Sequence, residues 1–227
     1  MINIYINKHK LIFQLLVLSS LLTSNITQAH EVPKTSINAG LLLIQNNAFG
    51  SLSGANLSVD KNDFAGIFSL TQPVSPSVAF EAGALTGFES SANITKSKSG
   101  TLHGKSYSSD GALMLEAKTE MSYFAGMKFS TSNHESINAY IKTGLHFWEV
   151  DFSVSGSSSL TYNGTSYNSN SFLKVDGSDP YLGLGLTYST SNKSFISFDY
   201  LTMASTNAIQ GAEFDIDGYS LTWSLNF

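Results

Sequence analysis

Seven charged side chains carry most of the chemistry this sequence could perform. Glu81, Glu116, Lys118, Glu120, Lys128, Lys142 and Asp199 each fall on the polar side of an alternating segment, among Gly, Ser and Thr. Gathered in an enclosed interior, such carboxylates and ammonium groups could handle a proton or line a gated ion path. They could also pair as a lattice of salt bridges that fills the space, because an unpaired charge there costs several kcal/mol. The lattice is the expected reading, and it depends on how narrow the enclosing structure is.

The remaining polar candidates are weaker. His30, His103, His134 and His146 are scattered, no pair has zinc-ligand spacing, and the chain has no cysteine. His146 beside Trp148 could serve as a base, but a lone interior histidine reads better as one more lattice member. His134-Glu135-Ser136 brings together the residue types of nucleophilic hydrolysis, and that chemistry needs a geometry no spacing can supply. No catalytic, cofactor or metal site is expected.

The elements that must position these groups follow from the alternation. In Leu113 to Ser130, Leu115, Ala117, Thr119, Met121, Tyr123, Ala125, Met127 and Phe129 form one face. The other face holds Glu116, Lys118, Glu120, Ser122, Phe124, Gly126, Lys128 and Ser130. Side chains alternate across a strand, whereas a helix would scatter those charges around its circumference. Seven further segments share the pattern, marked by Leu41, Phe68, Phe80, Ile141, Leu184, Phe198 and Leu221 on their apolar faces. The polar faces are rich in small residues and the apolar faces carry aromatics near strand ends, as in a wall with a filled lumen and lipid outside. The spacing therefore predicts an all-β fold, an eight-stranded antiparallel up-and-down transmembrane β-barrel. Eight strands leave an interior that side chains fill, which favours the lattice over a path.

Connections alternate in length. Residues 72–76, 132–135 and 189–193 read as short turns, and 46–62, 89–110, 151–179 and 203–215 as long loops. Short turns inside and long loops outside is the barrel arrangement, which places both termini in the periplasm. The loops repeat Gly-x-Ser-Tyr at Gly104-Lys105-Ser106-Tyr107 and Gly164-Thr165-Ser166-Tyr167, which suits hairpins forming a contact surface or a solvated rim.

Residues 1–29 read as a cleaved signal peptide. Lys8, His9 and Lys10 lead into an apolar run over 11–22, too short to span, and small residues end at Ala29. The barrel is then 30–227. With the signal go two of the 12 lysines and none of the 17 acids, so the mature formal charge is 10 − 17 = −7. Every base is lysine, and so acidic a chain is a poor candidate for nucleic acid.

The terminal Tyr219-Ser220-Leu221-Thr222-Trp223-Ser224-Leu225-Asn226-Phe227, with Glu81-Ala82-Gly83 and Lys142-Thr143-Gly144-Leu145, resembles the OmpA-type outer-membrane barrels, which include OmpX-like proteins. The resemblance covers the whole mature chain, without the peptidoglycan-binding domain of full-length OmpA proteins. It implies a monomer in a Gram-negative outer membrane, in contact with lipid and lipopolysaccharide. It also implies that Tyr219, Leu221, Trp223, Leu225 and Phe227 are the signal read by the barrel-assembly machinery. A structural or surface-interaction role in adhesion or colonisation, with an extracellular or host ligand on the loops, is the expectation. A lipid-modifying enzyme and a narrow pore are the alternatives.

Overall fold

The structure is a computed structural model and describes residues 34–49, 52, 57–131, 136–209 and 212–227. Its strands in chain order are β1 (Ser36–Asn46), β2 (Leu57–Asp60), β3 (Asn62–Ser75), β4 (Val78–Ile94), β5 (Lys98–Leu102), β6 (Lys105–Ser109) and β7 (Leu113–Ser130). There follow β8 (Ile137–Gly156), β9 (Leu160–Tyr162), β10 (Thr165–Tyr167), β11 (Ser171–Ser191), β12 (Ser194–Ile209) and β13 (Ala212–Asn226). Eight of these, β1, β3, β4, β7, β8, β11, β12 and β13, pair antiparallel in that order. The ring closes where β13 returns to β1 at Leu41↔Leu221. Short β2 extends the line of β3 along β4, at Leu57↔Ile94. Closure leaves no open edge in the wall. The fold is the eight-stranded antiparallel barrel that the alternation predicts.

The wall has two zones of opposite polarity. Around the lower zone, next to the short turns, the outward side chains are large and apolar and stay exposed: Leu41 at 66%, Phe68 at 54%, Leu184 at 50% and Trp223 at 54%. Inward positions at that level hold buried Ser69, Thr71, Ser197, Ser220 and Thr222. Such a belt suits hydrocarbon, where every backbone group must be bonded within the protein.

Toward the long-connection end the sense reverses. On β8 the inward side chains become Trp148, Val150, Phe152 and Val154, all buried, while Glu149 and Asp151 face outward. Leu113, Leu115 and Ala117 of β7 and Phe88, Ala92 and Ile94 of β4 meet them inside. This upper zone is built for water, apolar within and charged without.

That reversal corrects three of the expected loops. Segments 89–110, 151–179 and 203–215 are largely strand: β4 runs on to Ile94, β8 to Gly156, β12 to Ile209, and β11 starts at Ser171. Pro180 lies inside β11, one residue before the β11–β12 ladder opens at Tyr181↔Met203. Lacking an N–H, it suits a point where pairing with one neighbour begins.

Candidate functional site

Three of the seven charges meet across the lumen. Lys142 Nζ on β8 lies 3.2 Å from Glu81 Oε2 on β4 and 3.2 Å from Asp199 Oδ1 on β12. The three residues are 5%, 2% and 0% exposed, so each charge depends on its partners. β7 separates β4 from β8, and β11 separates β8 from β12. The ammonium group is therefore a pin between non-adjacent staves. Hydroxyls take up the remaining carboxylate oxygen sites: Ser69 Oγ donates to Glu81 Oε1 at 2.8 Å, Tyr140 Oη to Asp199 Oδ1 at 2.6 Å, and Ser220 Oγ to Asp199 Oδ2 at 2.8 Å. Charge-assisted bonds of this kind are about twice as strong as neutral ones. Lys128 sits opposite Lys142 in the ladder. Its Nζ lies 3.7 Å from the Tyr140 ring centroid, a cation–π contact inside the same layer.

The structure places Glu116, Lys118 and Glu120 elsewhere, which corrects their expected lumen position. Thr119 and Ser122 are both fully buried, while Glu120 and Met121 between them both face out. The β7–β8 register slips between Lys118 and Tyr123, as a β-bulge does. A slip of one residue moves every side chain beyond it to the other face. Glu116, Lys118 and Glu120 consequently line the outer surface above the belt, where Ser153 Oγ donates to Glu116 Oε2 at 3.1 Å. Lys118→Met should then change stability in urea by less than about 0.5 kcal/mol, the usual range for exposed sites. A larger loss would return Lys118 to the interior.

His146 is also outside the lattice. It is fully buried one layer higher, opposite Asp179 in the β8–β11 ladder, where Trp148 Nε1 donates to Asp179 Oδ2 at 2.7 Å. Ser136 starts β8's approach at the opposite end, ten residues away, on the order of 30 Å of extended chain. No Ser–His pair forms between them; His134 and Glu135 lie outside the described residues. The row Tyr219, Leu221, Trp223, Leu225 and Phe227 points outward from β13 beside β1, each side chain at least 43% exposed.

A second constellation was missed by sequence reasoning. The connections after β4 and after β8 each fold a hairpin, and the two hairpins join through Tyr107↔Tyr162, Ser108↔Thr161 and Ser109↔Leu160. The result is a four-stranded sheet in the order β10-β9-β6-β5. Both turns have two residues at positive φ, His103 (48°) with Gly104 (73°) and Asn163 (48°) with Gly164 (81°), the tight twist-matched hairpin turn that glycine permits. The Gly-x-Ser-Tyr echo was the sequence trace of this shared construction.

One face of the sheet buries Leu102, Tyr107, Leu160 and Tyr162 over the barrel mouth. There they meet Phe49, Leu52, Leu115 and Phe152, around an apolar cleft of about 50 Å³. Burial pushes the Tyr107 and Tyr162 hydroxyl pKa values up. Two polar ties fix the sheet. The carboxylate of Asp110 accepts from Ser159 N at 2.7 Å and Ser159 Oγ at 3.2 Å, and the backbone bond above all holds its carboxyl below the usual range. His103 Nε2 lies 2.7 Å from the Ala48 carbonyl. The other face carries one cross-strand row, Ser99–Ser108–Thr161–Ser166, with Thr101 beside Ser106 next to it. Every side chain of that face is a Ser or Thr hydroxyl.

Belt, filled lumen and eight staves define the class: this is the fold of the small outer-membrane barrels. Among solved structures the chain is similar to Neisserial surface protein A (NspA), with a TM-score of 0.53 at 11% identity over 87% of this chain and 100% of that one. It is similar to the outer membrane protein OprG from Pseudomonas aeruginosa, with a TM-score of 0.51 at 13% identity over 89% and 99%. Ail, the attachment invasion locus protein of Yersinia pestis, solved with the heparin analogue sucrose octasulfate, gives 0.49 at 13% identity over 86% and 98%. No family model and no curated protein matches the sequence.

Proposed function

We propose that this protein is a non-enzymatic, monomeric barrel of the outer membrane that presents a rigid recognition platform to the outside. The signal peptide is removed after Ala29, and the barrel-assembly machinery reads the outward row ending at Phe227. The short turns and both termini face the periplasm, and the upper zone with its four-stranded sheet projects outward. The observation that carries this reading is the sheet itself. Two separate connections build it together, an apolar core anchors one face, and the other is left as an uncharged array of hydroxyls. A merely solvated rim needs neither the core nor the joint construction. The activity is surface interaction, in adhesion or colonisation.

The test is adherence of a non-adherent Gram-negative strain displaying the protein to cultured epithelial cells. Ser99→Lys, Thr101→Lys and Ser108→Lys combined should reduce adherence to the level of cells lacking the protein, with heat-modifiable gel mobility intact. Adherence equal to that of the unmodified protein would refute the platform.

The lattice supports a closed lumen. Lys142, Glu81 and Asp199 occupy the cross-section together, so planar bilayers containing the purified protein should show no single-channel steps. Regular steps would reinstate the pore.

A further inference from the structure

We propose that the upper zone is hinged on the lower along a crease across β4 and β7, about which the four-stranded platform tilts as one body. Burial marks the crease. Leu85 and Phe88 are both buried with two residues between them, and so are Thr119 and Ser122. Each of the two strands therefore exchanges faces once. They do so at the same height, because Leu85 pairs with Ser122 and Phe88 with Thr119 in one ladder. Their outer neighbours do not follow. Ala65, Ile67 and Ser69 of β3 and His146, Trp148 and Val150 of β8 are buried in strict alternation.

A strand that exchanges faces must slip against a partner that does not. Ladders lapse on both flanks for this reason. The β3–β4 ladder stops at Ile67↔Leu85, and β4 pairs again on that side only with β2, from Asp60↔Ser91. Side chains lace the interval: Gly66 N donates to Thr86 Oγ1 at 2.6 Å, Glu89 N to Asp63 Oδ2 at 2.8 Å, and Ser90 Oγ to the Asp60 carbonyl at 3.0 Å. On the other flank the β7–β8 ladder stops at Tyr123↔Phe147 and resumes at Lys118↔Asp151. Thr119 Oγ1 and Ser122 Oγ are buried there and make no hydrogen bond among the described residues. The two gaps adjoin along one row, where the wall lacks ladder pairing that holds it above and below. Bending is least costly at such a row. β8 and β11 cross the same height with their ladder whole, Gly177 opposite Trp148, and form the strap on which the zone swings. The joint between the two hairpins keeps the platform in one piece above.

The hinge rests on neither the membrane placement nor recognition by the hydroxyl face. Hydrogen–deuterium exchange of the folded full chain in detergent micelles reads it, with a lock supplied by Gly66→Cys and Thr86→Cys. A Cβ on Gly66 would stand 3.1 Å from Thr86 Cγ2, within disulfide reach, and the chain has no other cysteine. With the pair reduced, amides of 119–122 and 148–150 should exchange on the order of a hundredfold faster than those of 113–118 and 151–156 just above. Oxidation of the pair should slow 148–150 about tenfold, although β7 stands between those residues and the lock. Exchange at the crease no faster than above it, or no slowing at 148–150, would overturn the hinge. Loss of protection at 107–109 and 160–162 in step with the crease would mean a fraying platform and would overturn tilting as one body. Should the disulfide variant lack folded gel mobility, Thr86→Val removes the hydroxyl that accepts from Gly66 N. It should speed exchange at 148–150 about tenfold, and unchanged exchange there would equally overturn the hinge.

Discussion

Lys142→Met should lower the unfolding free energy of the barrel by about 3–5 kcal/mol, the cost of removing one partner from a buried ion pair. The expectation sits at the upper end because one ammonium group serves two carboxylates. Without it Glu81 and Asp199 remain, 2% and 0% exposed, held by hydroxyls and carrying uncompensated negative charge. Lys128, on β7 between the strands of Glu81 and Lys142, is engaged with the Tyr140 ring 3.7 Å from its Nζ. The measurement is urea unfolding followed by the loss of heat-modifiable mobility. A change under about 0.5 kcal/mol, the range of an exposed site, would mean that the pin contributes nothing. Adding Glu81→Gln and Asp199→Asn to Lys142→Met should recover much of the loss, because the penalty lies in the stranded charges rather than in the missing contact.

Trp148→Ala should be as costly, about 3–5 kcal/mol, but to a different part of the molecule. The indole is 2% exposed at the level where the polar lumen gives way to the apolar upper core. It packs flat against the bare backbone of Gly177, where even a Cβ would lie 2.5 Å from Cζ2. Its loss leaves a cavity and removes the hydrogen bond to Asp179, a carboxylate only 5% exposed. The belt and the Lys142 pin lie below and are untouched. Limited proteolysis of whole cells should therefore cut the variant in the upper zone, near Lys98 or Lys105, while the residual barrel keeps its gel mobility. Unchanged resistance at those lysines would show that the four-stranded sheet does not depend on this layer. Gly177→Val should reproduce the damage by the opposite route, with too much volume in place of too little.

The sequence made the lower zone legible because its alternation has one meaning: large apolar residues face lipid and small polar ones face a narrow lumen. Glu81, Lys142 and Asp199 could be named as interior charges on that ground. Glu116, Lys118 and Glu120 could not be separated from them. Thr119 and Ser122 are both small and polar, so the extra residue between them leaves the alternation looking unbroken while the faces exchange. The upper zone was hidden for a related reason. Trp148-Glu149-Val150-Asp151-Phe152-Ser153-Val154 alternates as cleanly as any segment, but its apolar residues belong inside. Period alone does not say which solvent a strand meets. The shared Gly-x-Ser-Tyr pointed to two similar hairpins, and their pairing with each other is a long-range contact that no local pattern encodes.

The β8–β11 ladder runs from Tyr188↔Ile137 at the bottom of the belt to Ser171↔Val154 under the platform without a register shift. These two strands, 20 and 21 residues long, are single pieces through both zones. A tether pulling the platform away from the cell draws on them lengthwise. Ladder bonds lie perpendicular to the strands, so such a load is shared by many bonds in shear and does not unzip them one at a time. On the orientation proposed above, the platform is thus anchored under tension by the same backbone that crosses the belt, and flow across the cell surface would strain an attachment there before it peeled the barrel.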